Sequence, residues 1–222
     1  MKATLMIKRT ELRSAVSRLM PAIASNILPV LGHIQMHLDV DANLIHLSST
    51  DLEIRIGTSL PAQIQVNDGE SKSCLIPAQT FSDLLSMMES DEVRLEVDET
   101  QLLLRTGSTK TLLSLFPEDS FPPEFTLASN ANLCSLSTQS LKEALQRVIT
   151  AASTDYSRPT LNSILFALTG KKLHLVAADG FRLATDIVQI ESAVSEEQSY
   201  LLPMKMVQKL LRILPDEDSP LS

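Results

Sequence analysis

Leu12-Arg-Ser-Ala-Val-Ser-Arg-Leu19 returns as Leu141-Lys-Glu-Ala-Leu-Gln-Arg-Val148, 129 positions later. In both stretches the apolar residues fall at i, i+3, i+4 and i+7, the spacing of one buried stripe on a helix. The echo continues in order. Leu28-Pro-Val-Leu-Gly-His-Ile34 returns as Arg158-Pro-Thr-Leu-Asn-Ser-Ile164, His46-Leu-Ser-Ser-Thr-Asp51 as His174-Leu-Val-Ala-Ala-Asp179, and Leu75-Ile-Pro77 as Leu201-Leu-Pro203. Four collinear matches at nearly one offset indicate a duplicated domain, since solenoid units repeat every 20–50 residues or so.

Two more segments carry the helical stripe: Phe81, Leu84, Leu85, Met88 and Val207, Leu210, Leu211, Leu214. Thr10 and Thr138 suit the N-cap of the first helix in each copy, and Pro77 and Pro203 suit the start of the second. Between the helices lie the alternating runs Ile34–Leu38, Leu44–Leu47 and Ile54–Ile56, which read as strands with one buried face. Asp41-Ala-Asn43, Asn67-Asp-Gly-Glu70 and Gly170-Lys-Lys172 read as turns. The first copy reads β-α-β-β-β twice. The expected fold class is α+β, with two helices on one face of antiparallel sheet in each domain. The domains span residues 1–120 and 128–222, joined by the proline-bearing linker Phe116–Thr126. After Pro203 the second copy has room for its helix and then only Pro215–Ser222, so it is expected to lack its last strands.

Aromatic residues make up 4% of the 222 residues and there is no Trp, so the cores are aliphatic. No apolar run approaches the roughly 18 residues of a membrane span. Two cysteines, Cys74 and Cys134, make no disulfide framework and read as reduced thiols of a cytosolic, cytoplasmic protein. The net charge is −8, but it is uneven. The four helical segments, residues 8–22, 78–89, 139–152 and 204–214, together carry +5, which leaves −13 for everything else. Cationic helices on an acidic protein suit a surface that faces a polyanion. Lysines and arginines that simply solvate helices would give the same count, so charge alone leaves both readings open.

Catalytic patterns are missing. The chain has no glycine-rich phosphate cradle and no Gly-x-Ser-x-Gly elbow. His33 and His37 are four apart, but on a strand and without Cys or acidic ligands nearby, so they read as ordinary strand histidines and no metal is expected. Asp51 and Asp179 hold equivalent repeat positions and read as turn residues bonding their own backbone. No cofactor is implied.

Asn162-Ser-Ile-Leu-Phe166 and Ala177-Ala-Asp-Gly-Phe-Arg-Leu-Ala184 resemble the central domain of the bacterial DNA polymerase III beta subunit, or sliding clamp, family. Leu28-Pro-Val-Leu-Gly32, Thr50-Asp-Leu-Glu53, Arg105-Thr-Gly107 and Phe116-Pro117 resemble its first domain. The resemblance implies a duplicated DNA-clamp-type fold, with the third copy absent from this sequence. It implies a non-catalytic processivity factor that in full-length form is a homodimeric ring around double-stranded DNA, independent of sequence. It also implies linear-motif partners: the replicative polymerase, the clamp loader and others. Residues matching a partner-peptide pocket are Leu161, Gly180, Phe181, Arg182 and Leu183. Those matching DNA-facing positions are Arg105, Lys110 and Arg158. Leu84 and Met88 match the ring interface. Ser25 or Asn26 stands where the family has a basic residue, and Pro159 and Thr160 stand where it has paired aromatics, with Tyr156 nearby. Two other readings remain: a short relative acting as a monomeric docking module without ring closure, and a small cytosolic enzyme on a duplicated α+β fold.

Overall fold

The computed structural model describes residues 3–66, 72–107, 109–123, 134–215 and 217–221. It divides into two compact units, residues 1–124 and 125–222. Unit 1 runs β1 (Ala3–Lys8), α1 (Arg9–Leu19), β2 (His33–Asp39), β3 (Leu44–Thr50), β4 (Arg55–Pro61), β5 (Gln63–Val66), β6 (Lys72–Pro77), α2 (Ala78–Met87), β7 (Glu92–Val97), β8 (Gln101–Thr106) and β9 (Thr109–Ser114). Unit 2 runs β10 (Leu136–Ser137), α3 (Thr138–Val148), β11 (Ser163–Thr169), β12 (Lys172–Ala178), β13 (Leu183–Gln189), β14 (Gln198–Pro203), α4 (Met204–Ile213) and β15 (Pro220–Leu221).

The duplication is visible strand by strand. One sheet of unit 1 has the order β4-β3-β2-β6, and its counterpart in unit 2 is β13-β12-β11-β14, all antiparallel. In the first, Pro77 lies opposite His33. In the second, Pro203 lies opposite Ser163. Each proline ends its strand and sits at the N-cap position of the following helix, where it lacks only an amide that the helix would leave unbonded. The second sheet has the order β5-β1-β7-β8-β9 in unit 1, against β10-β15 in unit 2. Strand β15 therefore lies within the segment that the sequence left without strands, and it pairs with β10 as β7 pairs with β1.

Helix stripes meet the sheets as their spacing requires. Leu12, Ala15, Val16 and Leu19 of α1 are buried, as are Leu141, Ala144, Leu145 and Val148 of α3. α1 packs beside α2 and against β3 and β4, while α3 packs beside α4 and against β12 and β13. The core of unit 2 is aliphatic, filled by Ile164, Leu173, Leu175 and Val188 against α3, whereas unit 1 also buries the ring of Phe81 on α2 completely.

Three local expectations change. Strand β5 was not anticipated. Gln63-Ile-Gln-Val66 is too short to show its period clearly, and it exists because β1 offers it a free edge. The N-caps are not the threonines. α1 follows β1 directly with Lys8 at the cap and no capping side chain. At α3, Ser137 Oγ accepts from the Ser140 amide at 3.1 Å, while the Thr138 hydroxyl is drawn to the Ser219 carbonyl at 2.6 Å. The segment from Phe116, expected as a linker, is docked onto unit 1 as far as Pro123. The Phe116 amide donates to the Leu75 carbonyl at 3.0 Å, and Arg55 donates to the carbonyls of Pro122 and Pro123. The turn at Asn67–Glu70 and residues 124–126 lie outside the described residues.

Candidate functional site

The antiparallel order of unit 2 brings the matched pocket residues to one end of its four-stranded sheet. There β11 begins, β12 ends, β13 begins and β14 ends. Leu161 lies two residues before β11 and is half-buried; its amide donates to Arg158 O at 3.0 Å and its carbonyl accepts from Ser153 at 2.9 Å. Asn162 reinforces the loop by donating its side-chain amide to Ser153 O at 2.6 Å.

Asp179, Gly180, Phe181 and Arg182 connect β12 to β13 in a tight turn. Asp179 Oδ1 accepts from the amides of Phe181 (2.9 Å) and Arg182 (3.0 Å), and Oδ2 accepts from Arg182 Nε at 2.9 Å. The two amides, helped by the guanidinium, hold the Asp179 carboxyl below the usual carboxylate range. Gly180 has φ +94°, a left-handed conformation open to glycine at little cost. The turn drives Phe181 into solvent at 99% exposure, and Leu183 beside it is 65% exposed. Phe181 and Leu183 thus place exposed apolar surface at the end of the sheet, on a turn closed by the Asp179 carboxylate. Arg182 is positioned by its own turn through Nε.

The same turn occurs in unit 1. Asp51 Oδ1 accepts from Glu53 and Ile54 at 3.2 and 2.9 Å, and Leu52 takes the left-handed position at φ +75°. Both aspartates are therefore turn-forming residues.

The sequence missed an extension of the apolar face. Leu201 on β14 lies opposite Leu165, which lies opposite Val176, so the three share the outer side of the sheet. Leu201 is 51% exposed, and Ile187 on the same side is exposed too. The signal was present in the apolar residues at the non-core positions of β11, β12 and β14.

The matched cations are placed differently. Arg105 and Lys110 lie opposite each other on β8 and β9, on the sheet face away from Leu102, Leu104 and Leu113. Arg105 is engaged by Glu96, with Nε 3.0 Å from Oε1, and Arg94 reaches the same carboxylate at 3.1 Å. Lys110 is exposed. Arg158, in unit 2, is exposed with Nε 3.8 Å from Asp155 Oδ2. On the helices, Arg13 and Arg18 of α1 and Arg212 of α4 are exposed, whereas Arg147 of α3 is held by Asp186 at 2.5 Å. Leu84 and Met88 are half-buried at the end of α2; Met87 between them is the exposed one. Cys74 is buried and Cys134 half-buried, both are free thiols, and burial pushes Cys134 up. No helix among the described residues is long and apolar enough to cross a membrane.

Comparison with known proteins follows the same division. Residues 3–127 match the family "DNA polymerase III beta subunit, N-terminal domain", and residues 135–222 match its central domain. The chain is 30% identical over 198 residues to the beta sliding clamp of Staphylococcus epidermidis, covering 86% of this chain and 51% of that protein. It is 28% identical over the same span to that of Staphylococcus aureus. The DNA polymerase sliding clamp of Bacillus subtilis superposes with a TM-score of 0.88 at 20% identity, over 99% of this chain and 59% of the other. The DNA polymerase III beta subunit of Thermotoga maritima gives 0.82 at 25% identity, over 98% and 58%. The chain thus spans about half the length of the curated relatives it matches.

Proposed function

The chain belongs to the DNA polymerase III beta subunit family, and from that premise we propose that it serves as a DNA sliding clamp, the processivity factor of a replicative polymerase. The observation that carries this reading is the pair of family domains, matched in their order on two units of one topology. The clamp does no chemistry of its own; it tethers the enzyme that does. In full-length form it is a homodimeric ring around duplex DNA, with Leu84 and Met88 at the ring interface, and it works in the cytoplasm.

The hold on DNA is electrostatic and sequence-independent. The helical segments carry +5 on a chain of −8, so phosphates are drawn to the helices while the acidic remainder repels a second duplex. Lys110 and Arg158 make phosphate contacts. Arg105 contributes least of the three, because Glu96 already shares its charge. The polymerase, clamp loader and other linear-motif proteins dock at the end of the unit 2 sheet. There Leu161, Phe181 and Leu183 receive apolar anchors, Gly180 permits the turn, and Arg182 bonds the peptide backbone or an acidic side chain.

Titration of a fluorescent polymerase-type linear peptide tests the docking site. Phe181→Ala and Arg182→Ala each lower affinity about 30-fold, or about 2 kcal/mol. Lys110→Ala leaves the peptide unaffected but weakens duplex binding with a shallower salt slope. Unchanged peptide affinity in both pocket variants, with the fold intact by circular dichroism, overturns the docking site.

A further inference from the structure

A cleft of about 710 Å³ lies on the outer side of β2, β3, β4 and β6 in unit 1, and both His37 and His46 line it. They are direct cross-strand partners on β2 and β3. His37 Nδ1 shares a hydrogen bond of 2.7 Å with Ser73 Oγ, and His46 Nδ1 shares one of 2.8 Å with Ser59 Oγ. Each imidazole is thus oriented from behind by a hydroxyl on a neighbouring strand. When Nδ1 donates that bond, Nε2 keeps its lone pair for a ligand, which is the arrangement that orients metal-binding histidines. The ring centroids are 6.0 Å apart with planes inclined at 31°. Two imidazoles bound through Nε2 at about 2.0 Å to one tetrahedral ion have centroids about 5 Å apart. The observed separation is thus about 1 Å longer than that of a bound pair. Asp39 Oδ2 lies 3.9 Å from His46 Nε2, beyond hydrogen-bond length, and Glu118 lines the same cleft, so two carboxylates add negative potential there. The guanidinium of Arg55 bonds Gln35 and Ser48 on the cleft wall, and also the carbonyl of Pro123.

From this geometry we infer that His37 and His46 form a two-histidine site for a late first-row divalent cation, of the zinc, nickel or copper class that imidazole prefers. Among the described residues no three His, Cys, Asp or Glu side chains are gathered to hold a metal, so the chain supplies two ligands and water completes the shell. The site is independent of the DNA-facing and peptide-docking surfaces, and its fate does not bear on theirs.

The probes are nickel(II) in calorimetry and copper(II) in electron paramagnetic resonance, each added to the purified chain. Saturable 1:1 nickel binding is expected. His37→Ala and His46→Ala each weaken it at least tenfold, equal to about 1.4 kcal/mol. His174→Ala, in unit 2, leaves it unchanged. The copper spectrum shows two nitrogen donors in the parent and at most one in either variant. His46→Gln preserves the bulk of the ring if His46→Ala lowers the melting temperature. Wild-type nickel affinity in folded His37 and His46 variants, equal loss in His174→Ala, or no saturable binding by the parent chain overturns the site.

Discussion

The outer sheet faces of the two units are built on one topology and finished in opposite ways. On unit 1 the face is polar, with Gln35, His37, His46, Ser48 and Ser59, and its edge is covered. The backbone of Phe116 pairs with that of Leu75, which is fully buried, and its ring lies against His33 at 4.5 Å between centroids, inclined at 47°. Phe121 lies under the Arg55 guanidinium at 5.2 Å. On unit 2 the equivalents of Leu75 and Arg55 are Leu201 and Leu183, and both are exposed. The duplicated core tolerates the divergence because outer-face residues leave the buried stripe untouched. Their identity is set by what covers them, and the core does not depend on it.

The largest expected effect probes what the units share. Leu12→Ala and Leu141→Ala remove equivalent buried leucines from α1 and α3. Each destabilises its unit by about 2–5 kcal/mol, read as a shift in denaturant midpoint. If one costs that much and the other almost nothing, the units do not share a core.

The covered face gives the next test. Phe116→Ala removes the ring that lies against His33 beside Leu75 and costs about 1–2 kcal/mol. Leu201→Ser, at the exposed counterpart, stays within about 0.5 kcal/mol. Equal costs in thermal melts dissolve the contrast.

A swap at the aspartate turns sharpens it further. Gly180→Ala places a Cβ at φ +94° and destabilises unit 2 by about 1 kcal/mol. Leu52→Gly relieves the left-handed leucine of unit 1 and lands within a few tenths of a kcal/mol of neutral, because relief offsets lost flexibility and contact. A Leu52→Gly loss as large as that of Gly180→Ala shows the Leu52 side chain to be holding the turn.

The smallest effect is acid dependence in unit 2. Arg147, first, and the Ile187 amide hold Asp186 below the usual carboxylate range. A depressed folded-state value means stability that is present above the unfolded carboxylate range and lost as pH falls through the folded one. Asp186→Asn therefore lowers stability slightly at neutral pH and flattens the acid limb of the unit 2 stability curve. Parallel acid limbs for parent and variant refute the coupling.

The four helices, the buried stripes of α1 and α3, the strand-ending prolines and the two aspartate turns were all legible in the chain, because each rests on residues within about ten positions of one another. The exposed turn of the candidate site was legible for the same reason: Asp179 reaches residues only two and three positions away. The sequence also held the duplication, since collinear order survives divergence of individual residues. Its errors came where a local preference met a distant partner. Thr138 suited a cap but found Ser219, and the segment after Phe116 suited a linker but found Leu75.

What only the tertiary structure decided are contacts made between neighbouring strands or with segments from elsewhere in the chain. Glu96 meets two arginines, one of them nine positions on, and lowers the charge available at Arg105. His37 is four residues from His33, yet its neighbour is His46 on the next strand. Leu75 is buried and Leu201 exposed although both stand at one position of the repeat. Periodicity reports which side of an element faces inward, because 3.6 and 2 residues are properties of the local backbone. It carries no information on strand register or on which segment crosses the outer face, and those two choices determine where the charge, the imidazoles and the bare apolar surface come together.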